Sequence, residues 1–231
     1  MGLIIRIDVD RPYGRHPTIR HFLSRVSSDF YFPRVAALGF LSELKLMLRW
    51  LNEKGSRAYV FFRRCTLPSS SVLDLVNEGQ HEIGLHLENS RSLNAFLREK
   101  RILEKFVGRK ILAISKHGSG TERFGLRHYA PYEPEKYVRW AQMSSMRLFL
   151  GNLQDPSIPG MQREGQLYIF HSAFWLELPW RDIKHFTIDW LLEHAMYQDI
   201  VLLVHPENVL ADSKLTSDFK MIVNRLESRI I

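Results

Sequence analysis

A handful of side chains in this sequence have the types and spacing to do acid–base or metal chemistry, and most of them close an apolar run. Asp8 and Asp10 end the opening run Leu3-Ile4-Ile5-Arg6-Ile7. They are two apart, so both carboxylates point to one side of an extended chain. Paired carboxylates at the end of a buried strand are costly unless paired or bound to a cation. His86 sits in Ile83-Gly84-Leu85-His86-Leu87, Lys116 and His117 follow Ile111 to Ser115, and His205 follows Ile200 to Val204. Acids and imidazoles of this kind, gathered at one place, make a metal or acid–base site.

Alternation defines the elements that must position them. In Leu75 to Ser90, LVNEGQHEIGLHLENS, a helix stops at Gly79 and a strand follows. Period 2 puts Glu82, His86 and Glu88 on one face, and Gly84 between them is expected to let a ligand approach closely. Strands are predicted over 58–62, 110–115, 147–150, 167–174 and 200–204. Helices are predicted over 19–32, 34–55, 92–106, 135–144, 189–197 and 215–226. In the first of these Ile19, Phe22, Leu23 and Val26 recur at helical spacing. Strand and helix alternate about seven times, which predicts a parallel sheet, open or closed into a barrel, with ligands at the strands' C-terminal ends.

Composition narrows the class. The chain has 231 residues, 45% of them hydrophobic, enough for a full core without disulfides. The lone cysteine, Cys65, follows an apolar run and reads as a buried structural thiol, so a reducing, cytoplasmic setting is expected. No apolar run reaches the roughly 20 residues that span a bilayer, and no signal peptide is expected. A net charge of +7 favours acidic partners, but the basic residues are scattered and nucleic-acid binding is not expected.

Familiar local motifs fail. His81 and His86 are five apart on an alternating strand, not four apart on a helix as a zincin requires. Gly118-Ser119-Gly120 lacks the Lys-Ser/Thr of a phosphate loop.

The order DVD after the first strand, then EGQHEIGLH, then LLVHP resembles the polysaccharide deacetylases, the NodB-homology carbohydrate esterases, over Leu3 to Pro206. The resemblance implies a distorted (β/α)7 barrel of mainly parallel strands, with residues 1–231 as one catalytic domain. It also implies hydrolysis of N- or O-acyl groups on sugars with a divalent metal, zinc. It casts Asp8 as the base, Asp10 and His86 as metal ligands and His205 as the general acid. Lys116 is the nearest match to an arginine that orients the base. The family's second histidine is replaced by Ser90, so the third ligand falls to His117, or through oxygen to Glu88 or Asn89. The expected substrate is a saccharide or a nucleotide- or lipid-linked sugar, in surface-polysaccharide biosynthesis. Tyr13, Tyr129, Tyr132 and Trp175 are candidates to stack on sugar rings. A catalytically silent barrel that binds a saccharide or protein partner is the alternative.

Overall fold

Strand β1 (Leu3–Val9) is buried along its whole length, and its two faces do different jobs. Leu3, Ile5, Ile7 and Val9 join a large apolar core under the helices, whereas Ile4 joins a smaller one on the opposite side of the sheet. Arg6 and Asp8 share the side of Ile4, as period 2 demands. The same alternation runs through β2 (Ala58–Phe62), β3 (Glu82–Leu87), β4 (Ala113–Lys116) and β5 (Leu148–Leu153).

The computed structural model describes residues 2–14, 19–157 and 160–231. Four further strands complete the sheet: β6 (Gln162–Glu164), β7 (Leu167–Ser172), β8 (Phe174–Trp175) and β9 (Ile200–Val204). Their order is β6-β7-β5-β4-β3-β2-β1-β9-β8. Every pairing is parallel except that of β6 with β7. The result is a curled, half-open barrel of mainly parallel strands, in which β6 and β8 are the two edges among the described residues. Helices α1 (Ile19–Phe30), α2 (Ser42–Glu53), α3 (Ser70–Glu78), α4 (Leu93–Val107), α5 (Pro134–Met143), α6 (Ile188–His194), α7 (Pro206–Val209) and α8 (Ser213–Arg225) connect and flank the strands.

Three local expectations give way. The helix predicted over 34–55 starts only at Ser42, because Gly39 and Leu41 take left-handed φ of 82° and 56°. The strand predicted over 167–174 is two strands with different neighbours, β7 beside β5 and β8 beside β9. Gly84 makes room for protein rather than ligand: a Cβ there would lie 2.2 Å from the Phe61 ring. The apolar stripe of α1 is divided: Leu23 packs against the core and Ser24 and Ser27 are buried, while Ile19, Phe22 and Phe30 stand in solvent.

Candidate active site

From Arg6 onward the even-numbered residues of β1 carry charge, and the neighbouring strands supply its partners. Arg6 is wholly buried and grips Asp8 with two donors, Nε to Oδ1 at 2.9 Å and Nη2 to Oδ2 at 2.6 Å. Its remaining donors reach the Leu150 and Gly151 carbonyls and Asn152 Oδ1. A bidentate guanidinium fixes both the position and the plane of a carboxylate.

Asp10 lies just past the end of β1. Its Oδ1 stands 3.1 Å from His86 Nε2 and 2.9 Å from His117 Nδ1, and the two imidazole nitrogens are 3.3 Å apart. His86 and His117 come to Asp10 from β3 and from the end of β4, where His86 and Ser115 are paired in register. His86 Nδ1 is 2.7 Å from Ser115 Oγ, which leaves Nε2 as the nitrogen that faces Asp10. Arg63 holds the other side: Nη1 donates to the Asp10 carbonyl at 2.9 Å, and Nη2 forms a buried ion pair with Glu88. Glu99, on α4, accepts the backbone N–H groups of Glu88 and Asn89 at 2.9 and 3.0 Å and so sets the loop after β3.

These donors fit a divalent metal. Asp10 Oδ1 is buried and, despite its short contacts, has no hydrogen bond. One donor atom each from Asp10, His86 and His117 lies within 4.8 Å of the others. Ligands about 2.0–2.1 Å from a tetrahedral zinc lie about 3.3 Å apart, close to the separations seen, and three protein ligands with one open position is the pattern of a catalytic zinc. Burial and the positive charge of Arg63 hold the His117 imidazolium well below the usual histidine range, so the ring is neutral. Burial alone would raise the Asp10 carboxyl, but the two histidines outweigh it and hold it well below its ordinary value. Neutral imidazoles and an ionised carboxylate are the forms that bind metal.

The proton-carrying groups stand on either side. Asp8 Oδ2 is 3.5 Å from His86 Nε2. His205 Nε2 is 3.5 Å from Asp10 Oδ2, and its Nδ1 is 2.9 Å from Glu177 Oε1. Burial works against a charged His205, yet the Glu177 carboxylate beside it carries its pKa up to about 10. Glu207 in α7 is also buried, and burial pushes its carboxyl up to about 8.

The structure thus gathers Asp8, Asp10, His86, His117 and His205 in one cleft of about 780 Å³, lined also by Trp175 and Trp180. Lys116 lines it too, but the partner of Asp8 is Arg6: Lys116 Nζ is spent on the His117 carbonyl and lies 2.9 Å from His128 Nε2. Glu88 pairs with Arg63 through Oε1, and Ser90, whose Oγ is 3.3 Å from the Tyr137 hydroxyl, does not line the cleft. Of the aromatic candidates, Trp175 reaches the cleft; Tyr13 is buried with its hydroxyl donating to Pro33 O, and the Tyr132 hydroxyl accepts the Asn152 N–H. Tyr129 lies outside the cleft lining, under the cations of Arg91 and Lys136. Arg6, Asn152 and Glu177 escape sequence reasoning. Only Arg6 carried a signal, a charge inside an apolar strand two residues before Asp8. Cys65 is buried, and burial raises its thiol to about 12.

A curled, mainly parallel sheet flanked by helices is a fold that this chain shares with solved structures. An allantoinase, PuuE, shares it at 12% identity and a TM-score of 0.55, over 96% of this chain and 82% of that one. A CE4 family pseudoenzyme from Bacillus anthracis aligns at 12% identity and a TM-score of 0.48, over 95% of this chain, which spans only 60% of the pseudoenzyme. A mutant of peptidoglycan deacetylase PdaC from Bacillus subtilis aligns at 13% identity and a TM-score of 0.40, over 95% and 92%. No protein-family model matches the sequence, and no curated protein does. Among the described residues no helix is long and apolar enough to cross a membrane.

Proposed function

We propose that this protein hydrolyses an N-acyl or O-acyl group on a sugar, with a divalent metal, zinc, held by Asp10, His86 and His117. The observation that carries the reading is the convergence of one carboxylate and two imidazoles at 2.9–3.3 Å, with Asp8 on one side and His205 on the other. A divalent cation there supplies Lewis-acid polarisation of the acyl carbonyl and makes a water easier to deprotonate.

The chain's own residues do the rest. Asp8, held in one orientation by Arg6, takes a proton from the attacking water. His205 carries a proton on Nε2 while Glu177 holds Nδ1–H, and it passes that proton to the departing nitrogen or oxygen as the acyl bond breaks. One water is consumed; a carboxylic acid and a free amine or hydroxyl leave. The ring centroids of Trp175 and Trp180 each lie 6.1 Å from that of His205, an aromatic wall of the kind on which a sugar face packs. Work on surface polysaccharide in a reducing cytoplasm suits the lone buried thiol.

The test is metal content and acid release together. The reading expects about one zinc per chain and release of acetate from an acetylated amino-sugar oligomer, both lost in His86→Ala. A metal-free wild type that binds the oligomer and releases no acid overturns it in favour of a silent saccharide-binding barrel.

A further inference from the structure

Helix α1 keeps Leu23 against the core but turns its other large apolar residues outward. It buries Ser24 and Ser27, while Ile19, Phe22 and Phe30 are 65%, 66% and 58% exposed. With Val26 these residues fall in one stripe at 100° per residue. Phe32, also exposed, continues the stripe, its ring centroid 6.1 Å from that of Phe30. The loop before α5 extends the surface: the Leu126 N–H donates to Asp29 Oδ1 at 2.9 Å, and Leu126 and Phe124 are exposed. Ser24 and Ser28 of the same helix and Gly125 of the same loop line the cleft, so the apolar rim and the candidate active site share walls. Isolated exposed apolar residues need no explanation, but a contiguous set beside a cleft marks a contact surface.

The charges of these stretches say what kind of contact. Arg25, Arg34, Arg123 and Arg127 stand against Asp29 and Glu122, in a chain of net charge +7, while Arg20 turns to Glu43 of α2. A phenylalanine stripe edged by arginines matches an anionic lipid interface, where rings enter the acyl boundary and cations meet headgroup phosphates. We propose that this face docks on an anionic lipid surface and that the acylated sugar is presented to the cleft on a lipid anchor. The second half rests on the hydrolytic reading; the docking itself does not.

Co-sedimentation with phosphatidylcholine vesicles, with and without phosphatidylglycerol, tests the docking on metal-stripped and zinc-loaded protein alike. Wild type is expected to bind the anionic vesicles at least about tenfold more tightly. Phe22→Ser/Phe30→Ser, at exposed positions, loses about tenfold or more, and Arg25→Gln/Arg127→Gln loses the preference for phosphatidylglycerol. Wild type that stays in the supernatant, or a double phenylalanine variant that binds undiminished, overturns the docking. So does a dimer in light scattering that this variant splits, since a second copy then covers the face. Substrate presentation is read separately: the phenylalanine variant keeps acid release from a water-soluble acylated oligosaccharide and loses it from a lipid-linked one in vesicles. Equal release from both by variant and wild type overturns the presentation. Vesicle binding without release from either substrate overturns the hydrolytic reading and the presentation with it, and leaves the docking standing.

Discussion

A single carboxylate oxygen serves His205 twice: Glu177 Oε1 lies 2.9 Å from the ring Nδ1 and accepts the His205 backbone N–H at 2.8 Å. The acid thereby fixes both the rotamer and the protonated state of the imidazole. Glu177→Gln keeps the shape and removes the charge. Its expected effect is a fall in kcat of about a hundredfold, at the lower end of the roughly 10²- to 10⁴-fold that a positioned general acid contributes. Zinc content measured by elemental analysis stays at wild-type level, which separates this loss from damage to the metal donors.

Ser115 Oγ, 2.7 Å from His86 Nδ1, decides which nitrogen of that ring faces Asp10. Ser115→Ala is expected to weaken zinc binding by about ten- to a hundredfold, as loss of a ligand's outer partner does. Competition with a chelator of known affinity measures it.

Restoring a histidine at Ser90 is expected to gain nothing. Ser90 is fully buried against Tyr137 and does not line the cleft that holds Asp10. Ser90→His therefore overfills the site, costs about 1–3 kcal/mol in urea unfolding, and leaves zinc affinity unimproved.

Arg6 and Asp8 are both buried, so removing the cation strands the anion. Arg6→Met is expected to cost about 3–5 kcal/mol in chemical unfolding, and the pair Arg6→Met/Asp8→Asn recovers part of that loss.

His81 gives a pH signature away from the candidate metal donors. Its Nδ1 accepts the Ala58 N–H at 3.0 Å, its Nε2 lies 2.7 Å from Asn52 Oδ1, and burial holds its pKa near 4. The free imidazole titrates near 6.5. The folded value is depressed, so the neutral ring contributes fully above about pH 6.5, and that contribution is lost as pH falls toward 4. The urea midpoint of wild type falls across that window, and His81→Gln flattens part of the slope.

Much of the fold was legible because strand period and chain order are local. The strands 58–62 and 200–204 and the alternation of β3 follow from apolar pattern alone. That Asp10, His86 and His117 share one end of the sheet follows from their places at or near strand ends. What escaped was set by distant neighbours. Whether Lys116 or Arg6 reaches Asp8 depends on where β5 puts its carbonyls, and Glu177 becomes a partner only because β8 lies beside β9. The face that α1 turns to solvent was unreadable, since spacing gives a stripe and not its direction.

From Leu3 to Asp10, through β1 and one residue beyond it, alternate positions spell two different instructions. Odd positions are hydrocarbon for the helix layer, and even positions from Arg6 to Asp10 are charge for the cleft. A one-residue insertion or deletion there would exchange the two sets, putting guanidinium and carboxylates among leucines and isoleucines into the cleft. Length in this strand is therefore as constrained as identity: drift by substitution is survivable at many of its positions, and drift by indel at none.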